Sequence, residues 1–255
     1  MPREYGGIIR GVGPGWTRVT RWGLVAIAIA ALPLAAKSPL RGVRFVAIAG
    51  AAFIAQQLLV ARGLAARDPG EPGDLDAIDA LTLSRGLGAA MVLGAAVAGT
   101  RDRRSYAAKL AWPLALSGST LTDWIDGPLA RRRGRGPTKL GRVLDLELDS
   151  WLTLATTIAA HRFGRLHPAC LATPSLRYLA MLTPIPYEDV HAAGKSERAR
   201  NLGIAQMALA LGSFAPFAGD LTTGLARMAS LALVPVHVTA LAARLRRGTA
   251  NASGL

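Results

Sequence analysis

Runs of apolar residues, separated by basic or glycine-rich segments, recur along the whole chain. Two runs, 23–36 and 43–61, precede a Pro-, Gly- and Asp-rich stretch at residues 62–80. The six runs after that stretch are residues 81–99, 107–125, 143–160, 169–187, 202–218 and 225–243. A helix of about 20 apolar residues crosses the hydrocarbon core of a bilayer, and no alternating Val/Ile pattern predicts strands. The sequence therefore predicts an all-α integral membrane protein.

The helix-breaking stretch divides the chain into predicted parts. Residues 1–75 hold a basic segment, two apolar helices and a linker; residues 76–248 hold the six later helices; residues 249–255 form a C-terminal tail. The arginines ahead of run 23–36 also fit a signal peptide. Run 43–61 follows at once, and the two together are typical of a helical hairpin, which favours two membrane helices.

Net charge and composition indicate which classes of molecule the protein binds. The chain has 255 residues, 51% of them hydrophobic, and a net charge of +14. A basic patch is a known feature of nucleic-acid binders. Here the arginines punctuate apolar runs, so we expect anionic lipid headgroups and phosphorylated substrates and no nucleic acid. The single cysteine, Cys170, excludes an internal disulfide.

Four carboxylates lie at a junction of two apolar runs, where charge is costly unless a cation is bound. Asp123 and Asp126 are three residues apart, and Asp145 and Asp149 are four apart. On helices each pair shares one face, so two neighbouring helices can direct all four carboxylates toward one point. Oxygen donors suit Mg²⁺ or Mn²⁺, whereas zinc prefers nitrogen and sulfur. Glu147 points to another face of its helix by its spacing, so at most it supports the site.

Small and basic residues fill the interval between the two acidic pairs. Gly127 and Ala130 leave room for a ligand to approach the helix backbone. Five basic residues would attract phosphate oxygens. They are Arg131, Arg132, Arg133, Arg135 and Lys139. A metal site, neighbouring arginines and a carboxylate that can accept a proton together indicate phosphoryl transfer.

This stretch resembles the signature of the CDP-alcohol phosphotransferase (phosphatidyltransferase) family of integral membrane enzymes, D-x-x-D-G-x-x-A-R followed by G-x-x-x-D-x-x-x-D. The matching residues are Asp123, Asp126, Gly127, Ala130, Arg131, Gly141, Asp145 and Asp149. The spacer between Arg131 and Gly141 is one residue longer than the usual family pattern, which a loop absorbs at little cost. The resemblance implies a six-helix transmembrane catalytic core, preceded here by two extra N-terminal apolar helices, and a homodimer.

The resemblance also implies the chemistry. A CDP-linked lipid, foremost CDP-diacylglycerol, is expected to give its phosphatidyl group to the hydroxyl of a polar acceptor alcohol and to release CMP. Two divalent ions, Mg²⁺ or Mn²⁺, are expected on Asp123, Asp126, Asp145 and Asp149, with Asp149 also the general base. Nucleotide or phosphate contacts are expected from Gly127, Ala130, Arg131, Thr138 and Gly141.

A second element, D-A-L-T-L-S-R at residues 79–85, resembles the T-x-x-R pattern that opens the first core helix of this family near the nucleotide. Asp79 and Thr82 are therefore candidate substrate contacts. For Arg85 the usual expectation is a side chain that extends to the membrane interface.

The acceptor alcohol is less constrained. Lys195, Arg198 and Arg200 lie in a predicted cytoplasmic loop and could bind a phosphate on the acceptor. This favours glycerol 3-phosphate or inositol phosphate, although a solvated basic loop explains the same residues, and serine and phosphatidylglycerol stay open.

Basic residues are more numerous on the side of the acidic signature, so the positive-inside rule predicts an active site that faces the cytoplasm from the cell membrane. Two other classes of protein also fit these residues. An ion or proton transporter also keeps acidic residues in membrane helices, and a family fold can persist in an inactive member.

Overall fold

A computed structural model describes the helical parts of this chain. The described residues are 13–65, 75, 77–99, 110, 113–122, 125, 128, 132, 139–181, 197–214 and 220–252. Every regular element within them is a helix. The α-helices are α1 (Pro14–Lys37), α2 (Pro39–Ala65), α3 (Ala77–Ala98), α4 (Lys139–Arg162), α5 (Ala172–Met181), α6 (Glu197–Ser213) and α7 (Asp220–Ala252). The described residues also include a π-helical turn, Ser117–Leu121, a 3₁₀ turn, Pro168–Leu171, and short helical pieces such as residues 113–116.

Four described helices are long and apolar enough to span a membrane. They cover Pro14–Lys37, Pro39–Ala61, Asp79–Ala98 and Leu221–Thr239. Helix α4 is not among them, because its first turns carry Asp145, Glu147 and Asp149. The all-helical membrane class is confirmed, and the six-helix core with two extra helices stays a prediction.

Contacts divide the chain within α4 into two compact units, residues 1–155 and 156–255. The boundaries predicted at residues 75 and 248 are not tested by this division. In the first unit, α1 and α2 are joined by the single extended residue Ser38, which precedes Pro39. A residue before proline avoids the helical region, so α1 ends there and the chain reverses into α2.

Glycines let α1, α2 and α3 approach closely, as small residues do between membrane helices. A Cβ atom on Gly23 of α1 would lie 2.3 Å from the ring of Phe53 on α2. A Cβ atom on Gly94 of α3 would lie 2.8 Å from the Cβ of Ala49. The outer face of α1 instead exposes large apolar side chains such as Trp22 and Ile29, which suits contact with lipid.

A hydrophobic cluster joins α2, α3 and α4. Its buried members are Val60, Leu75, Leu83, Leu144 and Leu148, with Trp16 and Val19 packed against it. This cluster fixes the side of α4 that faces the protein, because residues 144 and 148 are one helical turn apart. The acidic pair described below lies about 100° further round the same helix, because each aspartate directly follows one of these leucines.

The π-helical turn brings a further segment against α3 and α4. A Cβ atom on Gly118 would lie 3.6 Å from the Cδ1 of Leu152 and 3.8 Å from the carbonyl oxygen of Arg85. Thr122 closes the segment by donating to the carbonyl oxygen of Gly118 at 2.9 Å. Single π-helical turns are frequent next to functional sites, and Asp123 is the next residue in the sequence.

The second unit is organised around the turn that follows α4. Gly164 has a φ of +69°, a left-handed conformation that favours glycine. Its carbonyl oxygen accepts a hydrogen bond from Arg227, and Arg165 donates to the carbonyl oxygen of Ser213 at 2.7 Å. Phe163 and Phe214 pack edge to face with ring centroids 6.1 Å apart. Two arginines thus satisfy carbonyl groups that the helices leave open at their ends.

Candidate functional site

Two of the four predicted acidic residues lie on α4. Asp145 and Asp149 are one helical turn apart, so their side chains project from one face. Both are exposed, with side-chain exposures of 57% and 55%. An acidic pair on the exposed side of a helix whose other side is packed is open to a ligand.

Arg85 of α3 binds both members of this pair. Its Nη1 donates to Oδ1 of Asp149 at 2.7 Å, and its Nη2 donates to Oδ1 of Asp145 at 3.3 Å. The arginine side chain is only 3% exposed, in contrast to its two partners. A single planar guanidinium therefore links α3 to α4 across the base of the acidic pair.

The burial of Arg85 corrects the sequence-based expectation that it extends to the membrane interface. It lies within a candidate span, Asp79–Ala98, where an ionisable residue needs a partner. Asp145 and Asp149 supply that partner. The T-x-x-R spacing already pointed to this residue, but its pairing depends on contacts between helices distant in sequence.

Two predicted substrate contacts lie near the start of the same helix. Asp79 and Thr82 are buried, at 4% and 6% exposure, within two turns of Arg85. Gly141 lies one turn before Asp145 on α4 and is partly buried. Their substrate roles stay predictions.

Glu147 faces away from the acidic pair, as its spacing predicts. Residues two apart on a helix point about 200° apart. Glu147 is 8% exposed and lines a small, mostly apolar pocket against α2, together with Gln56, Val60 and Trp151. It belongs to the packed side of α4 and not to the site.

The other half of the predicted site lies outside the described residues. These residues are Asp123, Asp126, Gly127, Ala130, Arg131 and Thr138. Within the described part of the chain, no group of three or more His, Cys, Asp or Glu side chains could hold a metal ion. Asp145 and Asp149 offer only carboxylate oxygens, which fits a hard divalent cation and not zinc.

Comparison with protein families decides the class of the chain. A family model described as CDP-alcohol phosphatidyltransferase matches residues 78–242, more than half of the sequence. The chain therefore belongs to the CDP-alcohol phosphatidyltransferase family. Members of this family are transferases of lipid synthesis that move a phosphatidyl group from a CDP-alcohol. The resemblance drawn from the acidic signature is confirmed.

The CDP-alcohol phosphatidyltransferase match begins after α1 and α2, at the second residue of α3, and it contains α4 and the whole acidic signature. The pairing of Arg85 with Asp145 and Asp149 therefore lies entirely within the part of the chain that defines the family. No curated protein and no solved structure matches the chain.

Proposed function

We propose that this protein transfers the phosphatidyl group of CDP-diacylglycerol to a polar alcohol and releases CMP. The acceptor oxygen would attack the phosphorus that bears the diacylglycerol. One phosphorus–oxygen bond forms there, and the bond that joins this phosphorus to CMP breaks. The single observation that carries the proposal is the family match over a segment in which Asp145 and Asp149 share one exposed face.

The acidic residues would hold divalent ions. We assign this role to Asp123, Asp126, Asp145 and Asp149, whose oxygen donors suit Mg²⁺ or Mn²⁺. Such ions would neutralise the diphosphate and stabilise CMP as a leaving group. The donor chemistry of the described pair supports the assignment, because both side chains are open carboxylates on one helical face.

Asp149 would also receive the proton of the attacking hydroxyl. Before the CDP-lipid binds, Arg85 donates to Oδ1 of Asp149 at 2.7 Å and holds this carboxylate on the site face. A general base of this kind contributes about 10²- to 10⁴-fold to a rate. The exposure of the Asp149 side chain supports the role, because an attacking hydroxyl can reach its carboxylate.

The nucleotide and its phosphates would contact residues around this centre. We assign them to Asp79, Thr82, Gly127, Ala130, Arg131, Thr138 and Gly141. Asp79 and Thr82 are buried within two turns of Arg85 on α3, so this half of the helix carries several polar side chains inside the protein.

We favour a phosphorylated acceptor, glycerol 3-phosphate or inositol phosphate, because Lys195, Arg198 and Arg200 supply positive charge around the start of α6. Arg198 and Arg200 lie in the first turn of this helix and not in the loop that the sequence predicted. The arginine distribution supports an active site on the cytoplasmic face of the cell membrane. A homodimer is the assembly that the family resemblance implies.

The test is incubation of the purified protein with labelled CDP-diacylglycerol and a panel of alcohols. The panel contains glycerol 3-phosphate, inositol phosphate, serine and phosphatidylglycerol, and the lipid product is identified by mass. Release of CMP that requires both an acceptor and a divalent ion supports the proposal. An ion transporter would release no CMP, so the same experiment separates the two classes.

A further inference from the structure

The contact between Arg85 and the acidic pair raises a problem of charge. Asp145 and Asp149 carry a formal charge of −2, and the guanidinium at 2.7 and 3.3 Å neutralises half of it. A divalent ion bound to the same two carboxylates would lie beside a buried cation. Like charges a few ångströms apart repel each other, and the repulsion is stronger where one of them is enclosed in the protein.

We propose that Arg85 is the resident counter-ion of this pair and that it exchanges its carboxylate partners for phosphate oxygens when the CDP-lipid binds. This inference rests on the proposed metal-dependent transfer. Before substrate arrives, Arg85 lowers the affinity of Asp145 and Asp149 for a divalent ion. The diphosphate brings negative charge and new acceptors for the guanidinium, so substrate and metal then bind cooperatively.

The geometry supports an exchange of partners. Arginine forms planar, two-pronged contacts with carboxylates and with phosphates, so one side chain can serve either partner. Arg85 is anchored in α3 and nearly enclosed, whereas the two carboxylates are more than half exposed. A ligand can therefore approach the carboxylates from the open side while the arginine stays at the base of the site.

The same difference in exposure indicates that Arg85 can be substituted without unfolding the protein. Removal of one partner from a fully buried ion pair leaves an uncompensated buried charge and is strongly destabilising. Here the partners that remain are exposed and become hydrated. In Arg85→Gln, a neutral amide capable of hydrogen bonding occupies the enclosed position.

The experiment measures binding of Mn²⁺ to the purified full-length protein by the electron paramagnetic resonance signal of the free ion. Wild type is compared with Arg85→Gln and Arg85→Lys, each with and without excess CDP. Arg44→Gln removes an exposed positive charge near the start of α2 and is the matched control. Retention of a single size-exclusion peak establishes that each variant is folded.

We expect Arg85→Gln to bind Mn²⁺ at least about tenfold more tightly than wild type in the absence of CDP. CDP should tighten Mn²⁺ binding more in wild type than in Arg85→Gln, because the neutral variant has no charge to relocate. Arg85→Lys keeps the charge and should lie closer to wild type, and Arg44→Gln should match wild type. If Arg85→Gln does not fold, the comparison of Asp149→Asn with Arg85→Gln/Asp149→Asn replaces it, and the double variant should bind Mn²⁺ more tightly.

Equal or weaker Mn²⁺ binding by the variants that lack Arg85 would overturn the inference, because Arg85 would then not oppose metal binding. The proposed transfer would stay intact. A wild-type protein that binds no Mn²⁺, with or without CDP, would overturn the proposed metal site and this inference with it.

Discussion

The side chain of Gln56 lies directly against Gly86, so that a Cβ atom on Gly86 would be 1.8 Å from the amide nitrogen of Gln56. Gln56 belongs to α2, outside the family-matched residues, whereas Gly86 follows Arg85 on α3 within them. Helix α2 therefore packs closely against α3, the helix that carries the arginine of the acidic pair.

Gly86→Ala should destabilise the protein, because the buried end of the Gln56 side chain, 2% exposed, must shift to admit the new Cβ atom. Overpacking of this kind costs about 1–3 kcal/mol. The free energy of unfolding in detergent should recover in the double variant Gln56→Ala/Gly86→Ala, which removes the clash. The control is Gly50→Ala on α2, where a new Cβ atom meets nothing within 4 Å and alanine favours the helix. Equal stability of the two single alanine variants would contradict the close fit.

Sequence reasoning recovered the class of the fold because long apolar runs have few alternatives. It also placed Asp145 and Asp149 on one face and Glu147 on another, since helical periodicity alone decides this. It missed the partner of the acidic pair, because Arg85 lies 60 residues before Asp145 and its contact depends on how α3 packs on α4. Asp123 and Asp126 keep their predicted roles as proposals, since they lie outside the described residues.

Asp145→Asn and Glu147→Gln should differ sharply in activity, although both neutralise a carboxylate on the same stretch of α4. Asp145 shares the exposed site face, so its loss should lower CMP release about 100-fold or more. Glu147 lies on the packed side, so Glu147→Gln should release CMP at a rate within about threefold of wild type. The measurement is the initial rate of CMP release under saturating CDP-diacylglycerol. Similar losses in both variants would mean that the acidic pair has no special role.

Removal of divalent ions should stop transfer reversibly. A chelator should abolish CMP release by the wild-type protein, and added Mg²⁺ or Mn²⁺ should restore it, because oxygen ligands favour these hard ions. Zn²⁺ should restore little, since the site has no nitrogen or sulfur donor among Asp123, Asp126, Asp145 and Asp149. Activity that persists in excess chelator would contradict the assignment of these residues as metal ligands.

The turn after α4 should tolerate substitution poorly. Gly164→Ala places a side chain at a φ of +69°, which costs about 1–2 kcal/mol. Thermal unfolding should show the loss, and Gly212→Ala in α6, where a new Cβ atom meets nothing within 4 Å, is the control. A wild-type melting temperature in Gly164→Ala would mean that this turn relaxes freely.

The acidic pair on α4 is the centre of the proposed phosphatidyl transfer from a CDP-lipid. The most direct measurement compares wild type with Asp149→Asn for two quantities, CMP release from labelled CDP-diacylglycerol and binding of that lipid. The account predicts acceptor-dependent CMP release by wild type, a fall of about 10²- to 10⁴-fold in Asp149→Asn, and little loss of lipid binding in the variant. Turnover by Asp149→Asn at the wild-type rate, or no CMP release by wild type with any acceptor of the panel, would contradict it.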